Sequence, residues 1–133
     1  MITTSDSGLL IFIRKTYFDP ELTRDQCYMK LNACGQIEWC KIIGNSDQSI
    51  WPNNVIEVEG GYVGMTVSNI ANNYFFSLVK LDYDGNIEWM FNYDNEEVNS
   101  EIYTEISTLN DGNFLVTGTG QYNTNEGRRP IRV

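Results

Sequence analysis

No histidine occurs among the 133 residues. That single absence removes Ser-His-Asp and Cys-His catalysis and every His-ligated metal centre. Bases are scarce as well. Nine Lys and Arg face eighteen Asp and Glu, for a formal charge of −9, the opposite of the basic patch that a phosphate backbone requires. No apolar run approaches the roughly 20 residues that cross a bilayer as a helix. The opening Met1–Gly8 carries no basic segment ahead of Leu9–Ile13, and no small-residue cleavage site follows, so it does not read as a signal peptide. Cysteine is limited to Cys27, Cys34 and Cys40. Their odd number and spacing match no zinc pattern, which needs close pairs and a fourth ligand.

What is present is apolar and aromatic. Hydrophobic residues make up 41% and aromatics 13%, enough for one globular domain of this length. The chain also repeats itself. Lys30-Leu-Asn-Ala-Cys-Gly-Gln-Ile-Glu-Trp39 matches Lys80-Leu-Asp-Tyr-Asp-Gly-Asn-Ile-Glu-Trp89 at an offset of 50. A second block recurs at spacings of 53 and 52: Asp6-Ser-Gly-Leu-Leu-Ile, Glu59-Gly-Gly-Tyr-Val and Asp111-Gly-Asn-Phe-Leu-Val. Two motifs sharing one period identify a structural repeat.

Each unit reads as strands. Val, Ile, Tyr, Phe and Thr dominate, turn residues punctuate every eight to twelve positions, and no helical stripe persists. Asn32–Gln36 and Asp82–Asn86 are hairpin loops in which glycine supplies the positive φ. Closing the second hairpin with Leu81 opposite Ile87 sets Lys80 against Glu88 and Val79 against Trp89. The first hairpin then pairs Lys30 with Glu38 and Met29 with Trp39. Apolar partners would share one face and an ion pair the other. The same register puts Cys27 and Cys40 on opposite faces and Cys34 at the tip, which predicts no intramolecular disulfide.

Four short antiparallel strands per unit, at about 53–58, 61–67, 74–82 and 86–93 in the second copy, describe the blade of a β-propeller. The Lys-Leu-Asp-x-x-Gly-x-Ile-x-Trp element resembles the tryptophan-containing repeat of bacterial quinoprotein-type propellers. It is also similar to secreted or surface propeller repeats in which an Asp-Gly-Gly-Tyr strand follows. The resemblance spans Asp6 to Val133. It implies an all-β chain of consecutive blades, with units at about 1–45, 46–95 and 96–133 and a total of about two and a half blades. Propellers close with four to eight, so this length implies part of a longer propeller, an assembly of chains or an open array with exposed edges, the first two being favoured because unpaired apolar edges invite association. By the same alignment Arg132, in the basic tail Gly127–Arg132, takes the place of Lys80 and its cross-strand role.

The function this implies is a non-enzymatic binding or scaffolding module, acting through protein or glycan contacts or as a homo-oligomer joined through open blade edges. The resemblance favours a secreted or surface location. The competing class is a segment of a propeller enzyme, quinoprotein-like or glycan-active, whose active site needs further blades. A quinone would require a whole ring and a central pocket, and no cofactor is assigned. No catalytic residue is assigned either, because none of the abundant carboxylates sits in the apolar context that raises a pKa for glycoside hydrolysis.

Asp82, Asp84 and Asn86 around Gly85 offer alternating oxygens in the manner of a calcium loop, without the distal Glu or a full ligand count. The equivalent loop offers only Asn32 and Gln36. Asp94, Glu96 and Glu97 form a second acidic group, read as a solvated loop. Lys30, Gly35, Ile37, Glu38 and Trp39, with Lys80, Gly85, Ile87, Glu88 and Trp89, are the structural residues of the repeat, the two Trp serving inter-blade packing. Trp51 stands outside that pattern and, with Tyr62, Tyr93 or Tyr103, is the candidate ligand surface.

Overall fold

The computed structural model describes residues 1–17, 23–43, 49–70, 73–93, 98–122 and 128–132. Eleven strands and no helix occur among them. β1 (Ile2–Thr3), β2 (Leu9–Tyr17), β3 (Thr23–Leu31) and β4 (Ile37–Ile43) form one antiparallel meander. β5 (Ser49–Val58), β6 (Gly61–Ile70), β7 (Asn73–Leu81) and β8 (Ile87–Tyr93) form a second. A single parallel bridge, Arg24 to Ser49, joins the two. A third sheet holds β9 (Val98–Thr108), β10 (Phe114–Tyr122) and β11 (Arg128–Arg132). In chain order the three are sheets 1, 2 and 3.

The strands fall where the turn spacing puts them, because glycine loops fix both motif hairpins. Gly35 and Gly85 sit at φ 78 and 80, and Gly112 of the third sheet at φ 82, a region that side chains with a Cβ resist. Asn32 Oδ1 accepts from the amides of Cys34 and Gln36, and Asp82 Oδ1 from those of Asp84 and Asn86. Each loop therefore satisfies its own backbone.

The register beyond the loops departs from the simple alternation expected. Leu81 does face Ile87, but a bulge follows, so Lys80 pairs with Trp89 and Val79 with Met90. The first hairpin repeats the bulge, with Lys30 against Trp39 and Met29 against Cys40. One extra residue, Glu38 or Glu88, is absorbed in the outer strand, and every side chain after it changes face. The ion pairs survive because each Glu reaches back to its Lys, at 2.9 Å in the first copy and 3.0 Å in the second. The lysines do not lie on a separate polar face, however. Both are buried on the side that also carries the Trp.

The bulge also corrects the cysteine geometry. Cys27 pairs with Ile42 and Met29 with Cys40, so Cys27 and Cys40 are diagonal neighbours on one face, with sulfurs 2.9 Å apart. All three cysteines are thiols, as expected, but separation on opposite faces is not the reason. The tail needs a correction too. Arg132 pairs with Thr117, the repeat equivalent of Met65, whose own partner is Leu78. Arg132 therefore stands two residues short of the position that Lys80 holds.

Two apolar cores fill the seams between sheets. Leu10, Tyr28, Ile43, Val55, Tyr62, Val79 and Leu81 pack between sheets 1 and 2, with Phe12 and Trp39 against them. Val63, Met65, Phe76, Leu78, Ile106 and Val116 pack between sheets 2 and 3, with Trp89 and Phe114. Sheet 2 is thus apolar on both faces. Its register assigns Tyr62, Gly64 and Val79 to the first seam and Val63, Met65 and Leu78 to the second.

The face of sheet 1 turned away from sheet 2 is apolar as well. Pairing places Leu9, Ile11 and Ile13 of β2 beside Leu31, Met29 and Cys27 of β3. Ile37, Cys40 and Ile42 of β4 continue the same surface. Ile13, Ile37 and Ile42 are exposed. Leu9, Ile11, Met29 and Leu31 are half-buried and Cys27 is buried within the face.

Candidate functional site

A cleft of about 520 Å³ opens at the loop end of the seam between sheets 1 and 2, lined by Ser5, Asp6, Lys30, Glu38, Trp39, Glu57, Tyr62, Tyr83 and Asp84. Sheet 1 supplies Asp6 from the β1–β2 turn, Lys30 from β3, and Glu38 and Trp39 from the bulged start of β4. Sheet 2 supplies Glu57 and Tyr62 from the β5–β6 hairpin and Tyr83 and Asp84 from the β7–β8 loop. The repeated turns converge here because successive sheets stack in the same orientation.

Lys30 is the centre of the polar side. It is 2% exposed and donates to Asp6 Oδ2 at 2.7 Å, Glu38 Oε2 at 2.9 Å and the Leu31 carbonyl at 3.0 Å. Those three bonds use all the donors an ammonium has. Burial opposes the charge, but the bonds to Asp6 and Glu38 outweigh it and raise the lysine pKa. Asp6 is held well below the ordinary carboxylate range, first by Lys30, then by the Thr4 hydroxyl and the Gly8 amide. Glu57 ties the two sheets together, accepting from the Ser5 amide and hydroxyl at 2.7 Å each.

The aromatic wall is equally fixed. Trp39 Nε1 donates to the Tyr83 carbonyl across the seam at 2.7 Å. Its indole lies over Gly85, where an added Cβ would sit 2.7 Å from two ring carbons. The ring centroid of Tyr62 is 6.1 Å from that of Trp39 and 5.6 Å from that of Tyr83, the latter pair edge to face. Tyr62 is 1% exposed, and no hydrogen bond to its hydroxyl occurs among the described residues. Burial pushes that hydroxyl up to about 12, so it stays neutral in ordinary buffers.

The residues singled out from sequence do not gather into one place. Tyr62 lines the cleft, whereas Tyr93 stacks on Phe76 with centroids 5.0 Å apart, on the sheet 3 side of sheet 2. Trp51 pairs with Val67 and Tyr103 with Gly118 along the backbone, and their side chains lie outside the described residues. So do Asp94, Glu96 and Glu97. Asp82 turns its carboxylate into its own loop, with Oδ2 accepting from Asn86 Nδ2 at 3.0 Å. The side-chain bond from Asn86 leads the interactions that lower its pKa. Among the described residues no three His, Cys, Asp or Glu side chains are gathered to hold a metal ion.

The repeat pattern marks Lys30, Glu38 and Trp39 as structural residues and Asp84 as a weak calcium-loop oxygen, and it gives no sign that Ser5, Glu57 or Tyr83 lines a cleft. Asp6 and Lys30 each lay inside a repeated motif, but the period does not say that the two motifs meet. Glu57 has no counterpart in either motif, so no pattern could have marked it. No protein-family model matches this chain, and no curated protein is significantly similar to it.

Proposed function

We propose that the chain is a non-enzymatic binding and scaffolding module, built of consecutive propeller-type blades at about 1–45, 46–95 and 96–133, which works by stacking against further blades. The observation that carries this reading is the apolar outer face of sheet 1, where Ile13, Ile37 and Ile42 are exposed. Leu9, Ile11, Ile13, Cys27, Met29 and Leu31 there occupy the repeat positions of Tyr62, Gly64, Thr66, Ser77, Val79 and Leu81 in sheet 2. In sheet 2 those positions are buried against a neighbouring sheet. A face composed for stacking, with exposed isoleucines and no charge in its centre, is an association surface. Trp39 supports the same reading by doing what a repeat tryptophan is expected to do in a blade: it bonds and packs across a seam.

Light scattering over a range of concentrations tests this. The chain is expected to associate, and Ile13→Asp or Ile42→Asp is expected to return it to a monomer without lowering its melting temperature. Both side chains are more than 40% exposed, so neither substitution disturbs the cores. A strictly monomeric wild-type chain at every concentration overturns the reading.

A further inference from the structure

The donors and acceptors left over in the seam cleft are one-sided. Four carboxylates line it, from Asp6, Glu38, Glu57 and Asp84, against the single ammonium of Lys30. That ammonium has no donor to spare, since Asp6, Glu38 and the Leu31 carbonyl take all three. An anion would therefore meet net negative charge and no free cationic donor. The carboxylates are not gathered closely enough to hold a metal ion. What faces the cleft is acidic oxygen, the rings of Trp39 and Tyr83, and the hydroxyl end of Tyr62, whose ring is packed in the seam on a side chain 1% exposed. Ring faces beside carboxylates attract organic cations, through the ring quadrupole and through charge.

We propose that this cleft binds an alkylammonium group, either a free quaternary or primary amine or the end of a lysine side chain. The proposal rests on reading the chain as a binding module and names what that module takes up. The apolar carbons of the cation lie along Trp39 and Tyr83, its charge is met by Glu57 and Asp84, and the Tyr62 hydroxyl offers its oxygen lone pairs. The volume of about 520 Å³ holds such a head group with several carbons of its stem. Asp84 is the side chain best suited to test it, because no hydrogen bond or ion pair involves its carboxylate among the described residues.

The experiment is saturation-transfer NMR or calorimetry on the whole chain with choline, with its uncharged isostere 3,3-dimethylbutanol, and with a neutral disaccharide, all at one ionic strength set with sodium chloride. A short peptide carrying one lysine, against the same peptide with norleucine, separates the two sources of the ammonium. Choline or the lysine peptide is expected to bind about tenfold more tightly than its uncharged counterpart. Asp84→Asn and Tyr62→Phe are each expected to weaken it several-fold with the melting temperature kept. Equal binding of the isosteres, preference for the disaccharide, or no binding of any probe overturns the proposal. If the chain nevertheless associates through sheet 1, the scaffold reading stands without it; if the chain is also strictly monomeric, both fall.

Discussion

Lys30 owes its position to three oxygens rather than to water, and the cost of burying its charge is met only while those oxygens stay ionised or oriented. Asp6 is the most sensitive of them. Its carboxyl is depressed in the folded chain, so the unfolded chain binds that proton more readily. The stability it contributes is complete above its ordinary value of 3.8 and is lost as pH falls from there through the lower folded value. Acid unfolding followed by circular dichroism is therefore expected to be steeper for the wild type than for Asp6→Asn below pH 3.8, and parallel curves would contradict the assignment. Cys27 and Cys40 make a second test at this scale, since the bulge sets them side by side on the face of sheet 1. Oxidised glutathione is expected to remove two thiols, each giving up one proton and one electron. One Cys27–Cys40 bond forms while the oxidant becomes two glutathiones. Peptide mapping should find Cys34 outside the bridge, as a thiol or, after exchange that releases one glutathione, as a mixed disulfide with glutathione; a bridge involving Cys34 would show the register to be otherwise.

The elements were legible from sequence as far as their hairpins reach. Gly35, Gly85 and the Asx-type bonds of Asn32 and Asp82 are local chemistry, and a period of about 50 residues repeats it. The bulges at Glu38 and Glu88 were not legible, because a strand with one extra residue keeps its alternation on both sides of the defect. Seam packing is the other feature that strands settle only in pairs. Tyr28 lies against Gly64, where an added Cβ would come within 2.5 Å of the phenol carbon Cζ. The corresponding positions in the second seam hold Leu78 and Val116, both in its core. One seam thus uses a large and an absent side chain where the next uses two of middle size. Gly64→Val alone is expected to destabilise by about 1–3 kcal/mol through overpacking. Adding Tyr28→Leu should recover most of that loss, which a double-mutant cycle of melting curves would read as a coupling above about 0.5 kcal/mol.

At the scale of the whole molecule the repeat produces three sheets and two filled seams. Sheet 2 buries both faces within the chain and sheet 1 only one, and the proposed stacking rests on that difference. The amino acids alone establish an all-β chain, the places of its glycine hairpin loops and an acidity that opposes nucleic acid, though strands such as β5 begin up to four residues earlier than the pattern indicates. Those properties follow from composition, glycine placement and period, all of which act over a few residues. Strand register and the stacking of sheets, by contrast, bury Lys30 among carboxylates, bring Cys27 and Cys40 together and set Trp39, Tyr62 and Tyr83 around an acidic cleft. Each of these depends on a one-residue bulge or on stacking between sheets about 50 residues apart, and side-chain face and inter-sheet distance are not functions of local sequence.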